Sequence, residues 1–311
     1  MKKDLTKITD LEKHEIQKII QKAFEFKQKS DLHIPLDPVL KGKVVAMIFE
    51  KPSLRTKVAF EVATAALGGI SSFLSSSQIL QSGNNEKGRE SLSDIAKNLE
   101  RFADLILARV YSHQTIITIA DSTQKPVINA LCDEHHPTQA LADLMAIMWH
   151  KKNYQECKVV FIGDGNNVAT SLMEICAIMG INFAIASPKG YEIPSKYFIG
   201  AKKYASENDS SLEQLEDPYE AVVNADVVYT DTFISMGQED EKEKRFKAFS
   251  KYQVDMKLLK SAKTDAIFMH NLPAHRGEEV TDEVIDSPQS IVFDEAECRL
   301  HIAKSLLTFY I

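Results

Sequence analysis

The run Ser53-Leu54-Arg55-Thr56-Lys57 follows the apolar stretch Val44 to Phe49 and opens onto Val58-Ala59-Phe60-Glu61-Val62-Ala63. This order reads as a strand, a turn and the first turn of a helix. A helix start leaves backbone N–H groups without intrahelical partners and carries partial positive charge, so it attracts an anion. Ser53 and Thr56 add hydroxyls, and Arg55 adds a planar fork matched to phosphate oxygens. The plain alternative is an ordinary helix cap on Ser53, with Lys51, Arg55 and Lys57 in solvent.

Five more stretches carry residue types that do chemistry. Arg109 ends the run Leu105-Ile106-Leu107-Ala108, which places a guanidinium at the C-terminal end of a strand; the alternative is a surface cation. His136-Pro137-Thr138-Gln139 opens a helix containing Asp143, with Pro137 suited to the first helical position. His136 and Gln139 then lie near one another at a strand-to-helix edge. Gly163-Asp164-Gly165-Asn166-Asn167 follows a strand and opens a helix, where α/β proteins bind ligands. A dinucleotide fingerprint needs a third glycine where Val168 stands, an acid about 20 residues on is missing, and there is no Walker lysine. The alternative is a tight turn capped by Asp164 or Asn166. Asp231 to Gly237, containing Ser235 and Met236, leads into the charge run Glu239 to Arg245, which is either a solvated face or a closing lid. His270-Asn271-Leu272-Pro273-Ala274-His275-Arg276-Gly277 gathers polar groups at a Leu-Pro turn. Pro273 interrupts the helical spacing that a metal-binding histidine pair needs.

The elements that must position these residues alternate along the chain. After an amphipathic helix over Asp10 to Lys29, capped by Thr9 or Asp10, short apolar runs appear at Val44–Phe49, Ile70–Leu74, Leu105–Val110, Val127–Asn129, Val159–Ile162, Phe183–Ala186, Val227–Thr230, Ala266–Met269 and Ile291–Phe293. Helical patterns separate them, which predicts α/β architecture with mostly parallel sheets flanked by helices. A length of 311 residues suggests two domains, and the polar stretch Asn153 to Glu156 is a plausible boundary. The expected division is 1–150 and 151–293, with a last helix over 294–311. A net charge of -7 argues against a nucleic-acid protein, so any anion affinity is local. No apolar run approaches the ~20 residues of a membrane span and the N-terminus lacks a signal-peptide pattern, so a cytoplasmic protein is expected. Cys132, Cys157, Cys176 and Cys298 are scattered and read as reduced thiols.

Taken in order, these motifs resemble the aspartate/ornithine carbamoyltransferase family over essentially the whole chain, and within it the ornithine type. The family's Ser-Thr-Arg-Thr-Arg phosphate loop is matched by Ser53-Leu54-Arg55-Thr56-Lys57. The likeness continues at Arg109, at His136-Pro137-Thr138-Gln139 and at Asp294-Glu295-Ala296-Glu297-Cys298-Arg299-Leu300-His301. Gly163 to Asn167, Asp231 through Ser235-Met236-Gly237, and His270-Asn271-Leu272-Pro273 resemble the ornithine-type acceptor elements.

The resemblance implies a first domain for carbamoyl phosphate, a second for the amino-acid acceptor, and a C-terminal helix returning to the first. It implies transfer of the carbamoyl group to the δ-amine of L-ornithine, giving citrulline and phosphate, with no metal or organic cofactor. Ser53, Leu54, Arg55, Thr56, Arg109, His136, Gln139 and Arg299 would bind carbamoyl phosphate; Asn167, Asp231, Ser235, Met236, Asn271 and Leu272 would bind ornithine. Arg109, His136, Asn271 and Arg299 would act on the reacting atoms, and the family assembly is a homotrimer or a multiple of it. This chain departs from the pattern at Leu54 for threonine, Lys57 for arginine, Asn271 for cysteine, Ile95 for threonine, and in a longer 78–89 segment. Two other readings therefore stay open: a carbamoyltransferase for another amine such as putrescine or a modified ornithine, and a catalytically weak paralogue.

Overall fold

The computed structural model describes residues 2–50, 53–75, 90–234 and 238–311. The sequence expectations for Lys51, Ser235, Met236, Gly237 and the 78–89 segment lie outside the described residues. Two compact units are present, Met1–Ala142 with Glu297–Ile311, and Asp143–Ala296. Both divisions fall within helices, Pro137–His150 and Val292–Tyr310. The polar stretch over Tyr154–Glu156 is a single 3-10 turn.

In the first unit β1 (Val44–Phe49) pairs with β2 (Ile70–Ser75) on one side and β3 (Leu105–Arg109) on the other, and β3 pairs with β4 (Val127–Leu131). All pairs are parallel. Parallel neighbours need long crossovers. The helices Leu54–Ala66, Leu92–Leu99 and His113–Asp121 lie in them. With helices on its faces, such a sheet reads as continuous apolar runs, as β1 does. Ile48, Ile106, Ala108, Ile116, Ile119 and Val127 fill the core on one side. The order β2-β1-β3-β4 means that the chain reverses its winding after β2, so the loops leaving β1 and β3 diverge from adjacent strands. Phe49 and Arg109 are register partners at that point. A bulge follows, where Ala108 pairs with Asn129 but Arg109 with Leu131.

The second unit repeats the logic with β5 (Lys158–Ile162), β6 (Asn182–Ala186), β7 (Leu212–Leu215), β8 (Val227–Thr230) and β9 (Ile267–Met269), in the order β7-β6-β5-β8-β9. Every pair is again parallel. Here the winding reverses between β5 and β8. Its core gathers Ile162, Val228, Phe233, Phe249, Leu258, Phe268 and Val280.

Two sequence expectations are corrected, and one strand is added to them. Ile291–Phe293 is not a strand; Val292 opens the last helix, whose first turn carries Asp294 and Glu295, acids that suit a helix N-terminus. β7 had no expectation at all, because Leu212-Glu213-Gln214-Leu215 is a short edge strand without an apolar run. The first helix is Lys13–Asp31, begun neither by Thr9 nor by Asp10. Asp10 instead accepts hydrogen bonds from the backbone N–H groups of Thr6 and Lys7 at 2.7 and 3.1 Å, closing a preceding turn.

Candidate functional site

In the first unit the structure brings the turn after β1 to the end of β3, an adjacency that the sequence reading does not contain. Glu50 N–H donates to Arg109 O at 2.9 Å, and the Glu50 carboxylate accepts from Tyr111 N–H. Ser53 precedes the helix in extended backbone and makes no side-chain cap bond, so its hydroxyl is not spent as a cap. Thr56, in the first turn, is buried, and its Oγ1 accepts from Arg299 Nη2 at 2.7 Å and from Arg109 Nη1 at 3.5 Å. Lys57 turns elsewhere: its Nζ sits 4.0 Å from the centroid of the Phe73 ring and 3.8 Å from Glu61.

Arg299 is the hub. Besides Thr56, its Nη1 donates to Gln139 Oε1 and lies 3.4 Å from His136 Nε2. The side chains of Thr56, His136, Gln139 and Arg299 are all buried. Arginine has no acceptor, so His136 Nε2 carries no proton when bonded to it, and the ring proton is on Nδ1, 3.4 Å from Thr138 Oγ1. The Thr138 hydroxyl both donates and accepts, so it tolerates the other tautomer as well. Burial first, then the charges of Arg299, Arg109 and Arg55, hold His136 well below the usual imidazole range, so the ring is neutral. Burial also pushes Arg109 down to about 9, helped by Arg299 and Arg55. An arginine stays charged near neutral pH. The shift therefore registers burial first and the neighbouring charges of Arg299 and Arg55 second, and an anion relieves that charge crowding.

In the second unit the loops after β5, β8 and β9 meet. Gly165 has no room for a Cβ, which would lie 2.2 Å from Ile193 N, so this glycine serves close backbone packing. Asn166 caps the helix Asn167–Met179, its Oδ1 accepting from Val168 and Ala169 N–H at 3.0 Å each. Its Nδ2 donates to Asp231 Oδ2 at 2.9 Å. Asp231 Oδ1 accepts from Thr232 N–H at 2.8 Å. Burial raises the Asp231 carboxyl above its ordinary range, against the pull of His270 and these two donors.

His270 is fully buried. Its backbone N–H donates to Glu295 Oε2 at 2.9 Å, and its Nδ1 accepts from Leu272 N–H at 2.9 Å. The ring proton is therefore on Nε2, donated to Glu279 Oε1 at 3.1 Å. These bonds hold the turn through Asn271 and Leu272, where Leu272 adopts a φ of 54° in the left-handed region. Asn271 Oδ1 is buried and has no hydrogen-bond partner among the described residues. Under this turn, Glu295 Oε1 accepts from Tyr229 Oη at 3.1 Å, and Asp143 shares a hydrogen bond with Glu295.

Sequence reasoning missed several of these residues. Asn166 was weighed only as a cap, although an asparagine amide has a second end to offer. Arg245 lies in the charge run expected to be solvated or a lid, yet it is buried, paired with the Asp164 carboxylate and donating from Nε to Phe233 O at 2.7 Å. Burial pushes Asp164 up to about 6 while Arg245 opposes it. Nothing in Glu239 to Arg245 singled out that one arginine.

Comparison with known proteins matches both units. Residues 3–148 fit the carbamoyl-P binding domain of aspartate/ornithine carbamoyltransferase, and residues 155–310 fit the Asp/Orn binding domain. The chain is 47% identical over 306 residues to the ornithine carbamoyltransferase of Bacillus subtilis, covering 98% of this chain and 92% of that protein. It is likewise 47% identical to the anabolic ornithine carbamoyltransferase of Pyrococcus furiosus, covering 98% and 95%. Among solved structures, the ornithine carbamoyltransferase from Pyrococcus furiosus aligns with a TM-score of 0.92 at 47% identity, over 98% and 96% of the two chains. The anabolic enzyme from Campylobacter jejuni aligns with a TM-score of 0.92 at 38% identity, over 100% and 99%. With both domains matched and these relatives spanning nearly its full length, the chain belongs to the aspartate/ornithine carbamoyltransferase family.

Proposed function

We propose that this protein transfers the carbamoyl group of carbamoyl phosphate to the δ-amine of L-ornithine, forming L-citrulline and phosphate in arginine biosynthesis. The observation that carries the reading is Arg299, whose single guanidinium joins Thr56, Gln139 and His136 beside the helix start at Leu54. The relatives named above are ornithine enzymes, which favours this acceptor over putrescine, a modified ornithine or a catalytically weak paralogue.

The chemistry is displacement at a carbonyl carbon: the neutral amine attacks, negative charge grows on the carbonyl oxygen, and phosphate leaves. The chain supplies position and charge. The first-turn amides from Ser53 to Thr56, with Leu54 contributing backbone only, together with Arg55 and Arg109 hold the phosphate. Thr56, Arg109, His136 and Arg299 stabilise the developing oxyanion; His136 does so as a neutral donor once Thr138 donates to its Nδ1 and the ring proton moves to Nε2. Gln139, oriented by Arg299, accepts from the carbamoyl nitrogen. Asp231 pairs with the α-ammonium of ornithine, Asn167 with its α-carboxylate, and Ser235, Met236 and Leu272 complete the cradle. The unpartnered Asn271 Oδ1 is an acceptor ready for the proton-bearing amine.

Carbamoyl phosphate and L-ornithine are the partners in this reading, with no nucleic acid or membrane. Among the described residues no helix is long and apolar enough to cross a membrane, and all four cysteines are buried free thiols. Leu54, Val58 and Val62 form an exposed i, i+4, i+8 stripe, and Ile70 and Phe73 are exposed on the edge strand β2. An exposed apolar surface of this kind marks a protein contact and supports the homotrimer. The test is an amine panel with carbamoyl phosphate. Citrulline from ornithine is expected; a different ureido product, or none, overturns the assignment.

A further inference from the structure

His275, in the turn after β9, has no role in the proposed transfer. One donor atom each from His275, Glu278 and Glu279 lies within 4.8 Å of the other two. Glu279 is fully buried. Its Oε1 accepts from His270 Nε2 at 3.1 Å and from the backbone N–H of His275 at 2.6 Å, which locks the carboxylate in place. Its Oε2 is buried and has no hydrogen-bond partner among the described residues; His275 Nδ1 stands 3.7 Å away, beyond hydrogen-bond reach. That imidazole nitrogen also lies 3.2 Å from Thr232 Oγ1. A buried carboxylate oxygen left without a donor is costly and calls for a cation or a bound water.

We propose that His275, Glu278 and Glu279 form a binding site for one divalent first-row transition ion, of the Mn²⁺ to Zn²⁺ class, separate from the reacting groups. The donor set selects the class. One imidazole nitrogen with two carboxylates is poorly matched to Mg²⁺ and Ca²⁺, which take oxygen alone, and the set contains no thiolate for soft ions. Two carboxylates balance a double positive charge, and three protein ligands leave positions for water. Binding at about 2.1 Å from each donor draws the three atoms closer together. The exposed His275 and partly buried Glu278 side chains can rotate to meet the fixed Glu279. The ion staples the turn from His270 to Glu279, because Glu279 already holds the His270 ring.

Tag-free full-length protein, without substrates or phosphate, is titrated with Co²⁺ and followed by calorimetry and visible absorption. One Co²⁺ per chain is expected, with a ligand-field band and a rise in Tm with Co²⁺ concentration. His275→Gln and Glu278→Gln should each weaken binding at least tenfold and reduce the band, while retaining the far-UV circular dichroism of the unaltered chain. Glu278 is partly exposed, so its variant keeps the test open if the other folds poorly. No stoichiometric binding, or one equivalent bound with unchanged affinity in both variants, overturns the site. The readout needs no turnover, so its failure is distinguishable from failure of the carbamoyl-transfer reading.

Discussion

Asn166 joins a helix cap to a buried carboxylate: its Oδ1 closes the N-terminus of the Asn167–Met179 helix, and its Nδ2 donates to Asp231 at 2.9 Å. The two ends of one amide thus couple the loop after β5 to the loop after β8. Serine caps helices about as well as asparagine but has no second arm. Asn166→Ser should therefore leave Tm within about 2 °C and raise the ornithine KM roughly tenfold, the worth of one hydrogen bond to a charged group. Steady-state kinetics beside a thermal melt separates the two effects; an unchanged ornithine KM would show that Asn166 only caps.

Arg55→Ala should lower kcat/KM for carbamoyl phosphate by about 10³-fold while the fold persists, because the proposed role gives Arg55 a charge-assisted phosphate contact and a transition-state charge. Near-normal turnover in a folded variant would sink the phosphate-loop assignment.

Arg109 is crowded by Arg55 and Arg299, and in the folded state burial and those charges disfavour its cation. The sign follows from linkage: a cationic group depressed in the folded state makes its charge a liability, so removing the charge stabilises the ligand-free protein. Arg109→Gln should raise the ligand-free Tm by about 2 °C and abolish most activity, a stability–activity trade-off. Inorganic phosphate should raise the Tm of the unaltered protein more than that of the variant. A lower ligand-free Tm in the variant would contradict the crowding argument.

Asp231→Asn tests the proposed pairing of this carboxylate with the α-ammonium of ornithine. Breaking a buried pair costs about 3–5 kcal/mol, which corresponds to an ornithine KM raised by about 10²- to 4 × 10³-fold with the carbamoyl-phosphate KM little changed. Equal effects on both substrates would remove Asp231 from the acceptor role.

Glu295 accepts the His270 N–H and shares a hydrogen bond with Asp143 in a fully buried setting. Burial, then the Asp143 charge, raises its carboxyl well above the ordinary value of 4.5. Since the folded state holds the proton more tightly, stability from this group is complete below 4.5 and falls as pH rises toward the raised folded value. Glu295→Gln keeps an acceptor for His270 and a donor for Asp143 but has no proton to lose. It should stay within about 1 kcal/mol of the unaltered chain near pH 5 and gain on it toward pH 8, whereas Glu295→Ala should lose about 3–5 kcal/mol. Denaturant titrations at several pH values check this, and parallel pH slopes for Glu295→Gln and the unaltered chain would refute the shared proton.

The amino-acid sequence by itself determined the alternation of strands and helices and the helix start after Ser53, because both are local. Val44 to Phe49 needs both faces covered whatever its neighbours are, and the Ser53 to Thr56 stretch has exposed amides wherever its helix starts. Strand order was not local. Nothing in either run says that Phe49 lies beside Arg109, or that the winding reverses between β5 and β8 to bring Asp231 to Asn166. Likewise Arg299 reads as one cation in a C-terminal helix until folding places it 2.7 Å from Thr56, more than two hundred residues earlier in the chain. Burial decided the rest. The same side-chain types sit in the solvated charges of Asp240 to Lys244 and in Arg245, and only tertiary packing around Asp164, Tyr191 and Phe249 makes that one arginine an interior residue.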